Sequence, residues 1–182
     1  MRIISGYNRG RILKTPSTKF TRPTTDKAKG VIFNYLNNLI DFDEISVCDI
    51  YAGSGALGLE ALSRGAATVH FVEKNFPVIT VLKENIKTVG EEECTRIFKM
   101  DALKFSKIAE HDSYDLIIAD PPFFMDDIHK VAENLLERNY LKNEGRFLIE
   151  RSVQTEKEDR VGFGIDPFKK IGDSLLYEFV KT

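Results

Sequence analysis

An apolar run that begins near residue 45 ends in Asp49-Ile50-Tyr51-Ala52-Gly53-Ser54-Gly55-Ala56-Leu57-Gly58, and an apolar stretch of helical length follows. Gly53, Gly55 and Gly58 satisfy the G-x-G-x-x-G spacing of a strand that turns tightly into a helix, and Glu73 lies twenty residues beyond Gly53. That sequence commits the region to a βαβ unit. Further strands are expected at 68–73, 95–100, 114–120 and 146–150, alternating with helices near 56–64, 75–88, 102–109 and 126–138. Residues 114–120 are mostly apolar without alternation, as in a strand covered on both faces. Two short runs, 168–171 and 175–180, flank Gly172-Asp173 and read as an antiparallel hairpin. The expected fold is α/β and Rossmann-like: a mostly parallel seven-stranded sheet that ends in that hairpin.

The N-terminal segment differs. Residues 2–5 and 11–14 flank a Gly6-to-Gly10 turn and predict a small β-hairpin arm. Pro23 then holds Arg22 extended, and a threonine can cap a helix that begins near residue 25 and carries Val31, Phe33, Leu36 and Leu39 at helical spacing. The reading divides the chain into an arm, 1–20, and a body, 21–182.

Residues 1–30 hold eight basic side chains (Arg2, Arg9, Arg11, Lys14, Lys19, Arg22, Lys27, Lys29) and one acid, Asp26, within a chain of net charge -2. A basic arm on an acidic body attracts a polyanion, although a solvated tail would have the same charge. Cys48 and Cys94 lack a paired spacing and read as reduced cysteines of a cytoplasmic protein, and His70, His111 and His129 form no metal-ligand pattern. No apolar run approaches the ~20 residues of a membrane helix.

The glycine turn signals a nucleoside-containing cofactor without saying which. Asp49 disfavours a pyrophosphate, because a carboxylate beside two phosphates is repelled more strongly in a partly buried cleft. S-adenosyl-L-methionine brings a cationic sulfonium and an amino group that suit Asp49, and ribose hydroxyls that Glu73 can accept. Asp101, at the end of the third strand, reads equally as an acceptor for the adenine amine or as a helix N-cap. With Asp49, Glu73 and Asp120 it forms a row of acids at the carboxyl ends of the strands, the edge where open parallel sheets bind ligands.

Asp120-Pro121-Pro122-Phe123 closes the fourth strand. The prolines remove two donors and stiffen the loop. Asp120 and the Pro121 carbonyl can each accept one hydrogen of a planar NH2 group, and Phe123 can stack on its ring. Holding both hydrogens directs the nitrogen lone pair toward an electrophile, such as a sulfonium methyl.

Taken with Arg2-Ile3-Ile4-Ser5-Gly6, Thr21-Arg22-Pro23-Thr24-Thr25-Asp26, the stretch from Ala52 to Ala66, Phe71-Val72-Glu73-Lys74-Asn75 and Lys170-Ile171-Gly172-Asp173-Ser174, the chain resembles the bacterial small-subunit ribosomal RNA guanine-N2 methyltransferases almost end to end. These are class I S-adenosylmethionine-dependent enzymes. The resemblance implies cofactor contacts at Asp49, Gly53, Gly55, Glu73 and Asp101, with the adjoining Ala52, Ser54, Lys74 and Ala102, and catalysis at Asp120 through Phe123. It also implies an arm that engages ribosomal RNA through Arg2, Arg9, Arg11, Lys14 and Arg22, the substrate being RNA or a partly assembled small subunit. The expected protein is a monomer with no metal and no membrane contact. Members usually carry tyrosine where this chain has Phe123, which keeps stacking and loses the phenol hydroxyl. Alternatives are methylation of another planar amine (adenine N6 or protein glutamine), a nicotinamide-dependent dehydrogenase, which Asp49 disfavours, and a non-catalytic RNA-binding module.

Overall fold

Successive residues of the central strands bury on opposite faces of one sheet. The computed structural model describes residues 1–16, 26–122 and 127–182. In β4 (Tyr114–Ala119), Leu116 and Ile118 join one apolar cluster, while Ile117 and Ala119 join another. This double burial explains why the strand reads as an unbroken apolar run.

The sheet is completed by β1 (Ser46–Ile50), β2 (Thr68–Val72), β3 (Thr95–Phe98), β5 (Leu141–Ser152), β6 (Lys169–Ile171) and β7 (Ser174–Val180), in the order β3-β2-β1-β4-β5-β7-β6. The first five strands are parallel, and β7 runs antiparallel to both β5 and β6. This is the Rossmann-like, doubly covered α/β fold expected from the sequence. One face packs on α1 (Asp26–Leu36), α2 (Ala56–Ser63) and α3 (Phe76–Val89), and the other on α4 (Ala102–Phe105) and α5 (Asp127–Glu137). Among the described residues no helix is long and apolar enough to cross a membrane.

Local chemistry sets the ends of α3. The Asn75 side chain accepts from Val78 N, and Gly90 closes the helix at φ +78. Its buried residues Val78, Ile79, Leu82, Ile86 and Val89 recur at helical spacing and face the sheet.

Three expectations change in detail. The expected helix at 102–109 is regular only over Ala102–Phe105. The strand expected at 146–150 runs from Leu141 to Ser152, and its leading Lys142, Asn143 and Glu144 are exposed, so no apolar pattern marks them. A helix, α6 (Glu156–Phe163), occupies a stretch where none was expected. Of its residues only Asp159 is buried, so apolar periodicity could not announce it. A polar network holds it instead. Asp159 accepts two bonds from Arg151 Nε at 2.9 and 3.0 Å and one from Thr155 Oγ1 at 2.6 Å, and lies 2.8 Å from His129 Nε2.

The N-terminal arm folds back across its glycine turn, with an antiparallel bridge between Arg2 and Ile12. Ile3 and Leu13 are buried in the cluster beneath α1, α2 and α3. The expected arm boundary at residue 20, Arg22, the threonine cap before α1 and Phe123 all lie outside the described residues.

Candidate active site

The carboxyl edge of the sheet is built from the glycine turn outward. Tyr51 leaves β1 at φ +60, Gly53 and Gly55 follow at +55 and +82, and α2 begins at Ala56. The Ala52 amide donates to the Val72 carbonyl at 3.0 Å and pins the turn to the end of β2. Gly58 is required by packing: a Cβ there would come within 2.4 Å of the Phe71 ring. At Gly53 an added Cβ would meet only the Tyr51 carbonyl, at 3.9 Å, so the turn leaves its outer side open to a ligand.

Gly55 has no side chain to cap α2, and Asp49 takes that role from β1. Its Oδ2 accepts from the Gly58 amide, in the first turn of the helix, at 2.8 Å. Asp49 is 1% exposed. Burial pushes its carboxyl well above the usual range; the Gly58 amide opposes this, and the charges of Asp120 and Glu73 add to it. The acids of β1, β2 and β4 are therefore close enough to repel one another.

Both Glu73 oxygens accept backbone bonds: Oε2 from the Gly53 amide of the turn at 3.0 Å and Oε1 from the Asn75 amide, at the start of α3, at 2.8 Å. Each oxygen keeps further acceptor capacity. Asp101 is the N-cap of α4, accepting from the Leu103 amide at 3.0 Å, and Lys74 Nζ lies 3.2 Å from its other oxygen. Burial raises the Asp101 pKa, but the Lys74 ammonium and the Leu103 amide outweigh it and hold the carboxyl below the usual range. The N-cap reading of Asp101 is thus realised. Asn85 reaches the same region, donating from Nδ2 to the Ser54 carbonyl at 2.9 Å. Ala102 is buried at the start of α4. Asp120 follows the last residue of β4 half-buried, with Pro121 buried and Pro122 exposed.

The arm meets the other end of α2. The Tyr7 amide donates to the Ser63 carbonyl at 2.7 Å, and the Ile4 and Ser5 amides donate to Glu60 at 2.8 and 3.0 Å. An eight-residue helix is about 12 Å long, so the arm's tip sits roughly that far from the glycine turn. The basic charge of residues 1–30 is also smaller in effect than composition suggests. Lys29 is fully buried 3.2 Å from Glu60, Arg2 pairs with Asp26 at 3.4 Å, and Lys14 pairs with Glu84 at 2.8 Å. Arg9 and Arg11 are exposed and form no ion pair among the described residues. An open groove of about 620 Å³ lies at this far end, between Gly6, Asn37, Phe42 and Arg64, and is lined by none of the cofactor, catalytic or RNA-contact residues expected from the sequence.

The chain as a whole is similar to known proteins. The family described as Conserved hypothetical protein 95 matches residues 1–179. The ribosomal RNA small subunit methyltransferase D of Haemophilus influenzae is 36% identical over 160 residues, covering 87% of this chain and 80% of that protein. Its Escherichia coli namesake is 34% identical over 155 residues, covering 85% and 76%. The chain belongs to the ribosomal RNA small subunit methyltransferase D family. The solved Escherichia coli protein yhhF superposes with a TM-score of 0.81 at 28% identity, over all of this chain and 97% of that one. A hypothetical protein of Thermus thermophilus gives 0.80 at 25% identity, over all of this chain and 99% of that one.

In this methyltransferase D family member the sequence reading missed two buried groups. Glu60, inside the long glycine motif, accepts from the arm, from Lys29 and from Arg64. Glu150, two residues before the end of β5, extends the row of acids, and Ser174 Oγ donates to its Oε1 at 2.6 Å. Glu60 stood in a quoted motif, and its burial within an apolar helix was the available signal. For Glu150 the signal was a fifth acid at a strand end.

Proposed function

We propose that the chain transfers a methyl group from S-adenosyl-L-methionine to the exocyclic N2 amine of one guanine in small-subunit ribosomal RNA. The observation that carries this reading is the convergence of Asp49, Glu73 and Asp120 on an open glycine turn, next to Asp120-Pro121-Pro122. Three neighbouring carboxylates suit a cationic ligand and disfavour a pyrophosphate, so the residues fit the proposed cofactor. It would rest on Ala52, Gly53, Ser54 and Gly55, with its ribose toward Glu73, its adenine toward Lys74, Asp101 and Ala102, and its positive end toward Asp49.

When bound, S-adenosylmethionine supplies an electrophilic methyl group on a positively charged sulfur. Asp120 and the Pro121 carbonyl would hold the two amine hydrogens of the target, and Pro122 would stiffen that grip. Phe123 would stack on the base. The guanine N2 lone pair is delocalised, and fixing both hydrogens aims it at the methyl carbon. Proton loss to solvent or to Asp120 can follow attack.

A paired guanine is stacked, so the target must be unpaired or flipped to reach Asp120. The arm, 1–20, would contact phosphates through Arg9 and Arg11, with Arg2, Lys14 and Arg22 assisting, while the body, 21–182, acts as a monomer in the cytoplasm on RNA or a partly assembled subunit. The family relationship to rRNA methyltransferases supports RNA over DNA or protein. Mass-spectrometric mapping of ribosomal RNA nucleosides, with and without the active protein, tests the reading. One N2-methylguanine should depend on it. A lesion at an adenine or at no RNA position would overturn the proposal.

A further inference from the structure

The β4–β5 register carries an acid beyond those assigned to cofactor and catalysis. Ala119 pairs with Ile149, so Asp120 leaves β4 level with Glu150 of β5. Ala119 and Ile149 face the cluster beneath α5, so strand alternation puts Asp120 and Glu150 together on the opposite face, the one that carries Asp49 and α2. In spatial order the five parallel strands carry Asp101, Glu73, Asp49, Asp120 and Glu150 at or near their carboxyl ends. The first three lie on the side of the glycine turn. Glu150 lies on the far side of Asp120 from the glycine turn, the side left for the amine substrate in the functional reading above.

Glu150 is 8% exposed, and Ser174 Oγ orients it from β7 with a 2.6 Å bond to Oε1. A carboxylate offers about four acceptor sites, and the Ser174 bond takes one of them. The proposed target has three hydrogens on one edge: two on N2 and one on N1. Asp120 and the Pro121 carbonyl account for the N2 pair. Adenine presents a bare N1 acceptor at the corresponding place, which a carboxylate repels.

We propose that Glu150 is a specificity-determining residue that accepts the N1 hydrogen of the target guanine. The proposal rests on the guanine-N2 reading above and names the group that separates guanine from other amine-bearing purines. The partly desolvated position strengthens the contrast, because an unmatched acceptor facing a buried charge is left without a hydrogen bond.

The test uses small-subunit particles reconstituted with RNA that carries either guanine or 2-aminopurine at the mapped target. 2-Aminopurine keeps the N2 amine and lacks the N1 hydrogen. The wild-type protein should prefer guanine in kcat/KM by about 10- to 150-fold, the range for a hydrogen bond to a charged group. Glu150→Gln should bring the two substrates near parity, because an amide offers its oxygen to guanine N1–H and its N–H to the bare N1 of the analogue. Cofactor affinity by calorimetry and the melting temperature should stay near wild type. Ser174→Ala, which removes the orienting hydroxyl and keeps the carboxylate, should lower the preference several-fold and provides the test if Glu150→Gln does not fold. Equal wild-type rates on the two purines, or a preference unchanged in both variants, would overturn the assignment while N2-methylguanine still forms. Failure of the wild-type protein to form N2-methylguanine would instead overturn the functional reading, and the assignment with it.

Discussion

Lys29 Nζ lies 3.2 Å from Glu60 Oε2, and neither side chain is exposed to solvent. The pair joins α1 to α2, and Glu60 also accepts from the Ile4 and Ser5 amides of the arm. Arg64, one turn along α2, pairs with Glu60 at 2.9 Å and lies over the Phe33 ring. Burial lowers the Lys29 pKa, and the Glu60 charge opposes that. Breaking a buried pair from one side leaves an uncompensated charge, at a cost of about 3–5 kcal/mol. Both Lys29→Met and Glu60→Gln should lower stability in denaturant titrations. Glu60→Gln should lower it more, because it leaves two buried cations without an anion and loosens the arm. Equal losses would mean that the arm contacts add nothing.

Asp49 caps α2, and burial disfavours its charged form. Its folded pKa is raised by burial first and by Asp120 and Glu73 next, so the stability it contributes is present at low pH and is lost as pH rises through the folded value. Asp49→Asn keeps an oxygen for the Gly58 amide and removes the charge. It should melt higher than wild type at neutral pH without cofactor, and the difference should vanish below the ordinary aspartate pKa of about 3.9. It should also bind S-adenosylmethionine more weakly. Melting curves across pH, together with calorimetry, check both halves.

Glu73→Ala leaves the Gly53 and Asn75 amides without their carboxylate and removes the proposed ribose acceptor. Charge-assisted hydrogen bonds are worth roughly 1.5–3 kcal/mol, or about 10- to 150-fold in affinity. Calorimetry with S-adenosylmethionine should show a loss in that range. Unchanged affinity would move the cofactor away from this edge.

Asp120→Ala should depress turnover by about 100-fold or more while cofactor affinity stays within a few-fold, because the proposed contact matters mainly in the transition state. Single-turnover methylation separates the two effects. An undiminished rate would take Asp120 out of the chemistry.

Arg9 and Arg11 are the two arm cations exposed and without an ion pair among the described residues. Replacing both with alanine should weaken RNA binding and flatten its salt dependence. At about 0.7 per single-strand phosphate contact, the slope of log K against log salt should fall by roughly 1.4. Arg2→Ala, which breaks a pair with Asp26, should change the slope less.

Much of this architecture is legible in local pattern. The glycine spacing with Glu73, the apolar run of β4 and the terminal hairpin each have one dominant physical reading, and each is found where the sequence puts it. Helix α6 was not legible, since its polar sequence is held by Asp159 contacts that span more than one element. The division of the N-terminal charges was hidden for the same reason: composition counts Lys29 of α1 and Arg11 of the arm alike, yet one is buried on Glu60 and the other is exposed.

The sequence by itself determined the order of the strands and of the helices other than α6, the glycine turn and the placement of acids near strand ends, because strand and helix periods and glycine's freedom at positive φ act over a few residues. Only the tertiary structure decided which acids meet. Asp49 turns inward to cap α2, Asp101 caps α4, and Glu150 comes level with Asp120 because residues 116–119 of β4 pair with residues 146–149 of β5. Residues distant in the chain become partners through strand pairing and helix packing, and the free energy of a carboxylate depends on the charges and amides that this packing brings within a few ångströms.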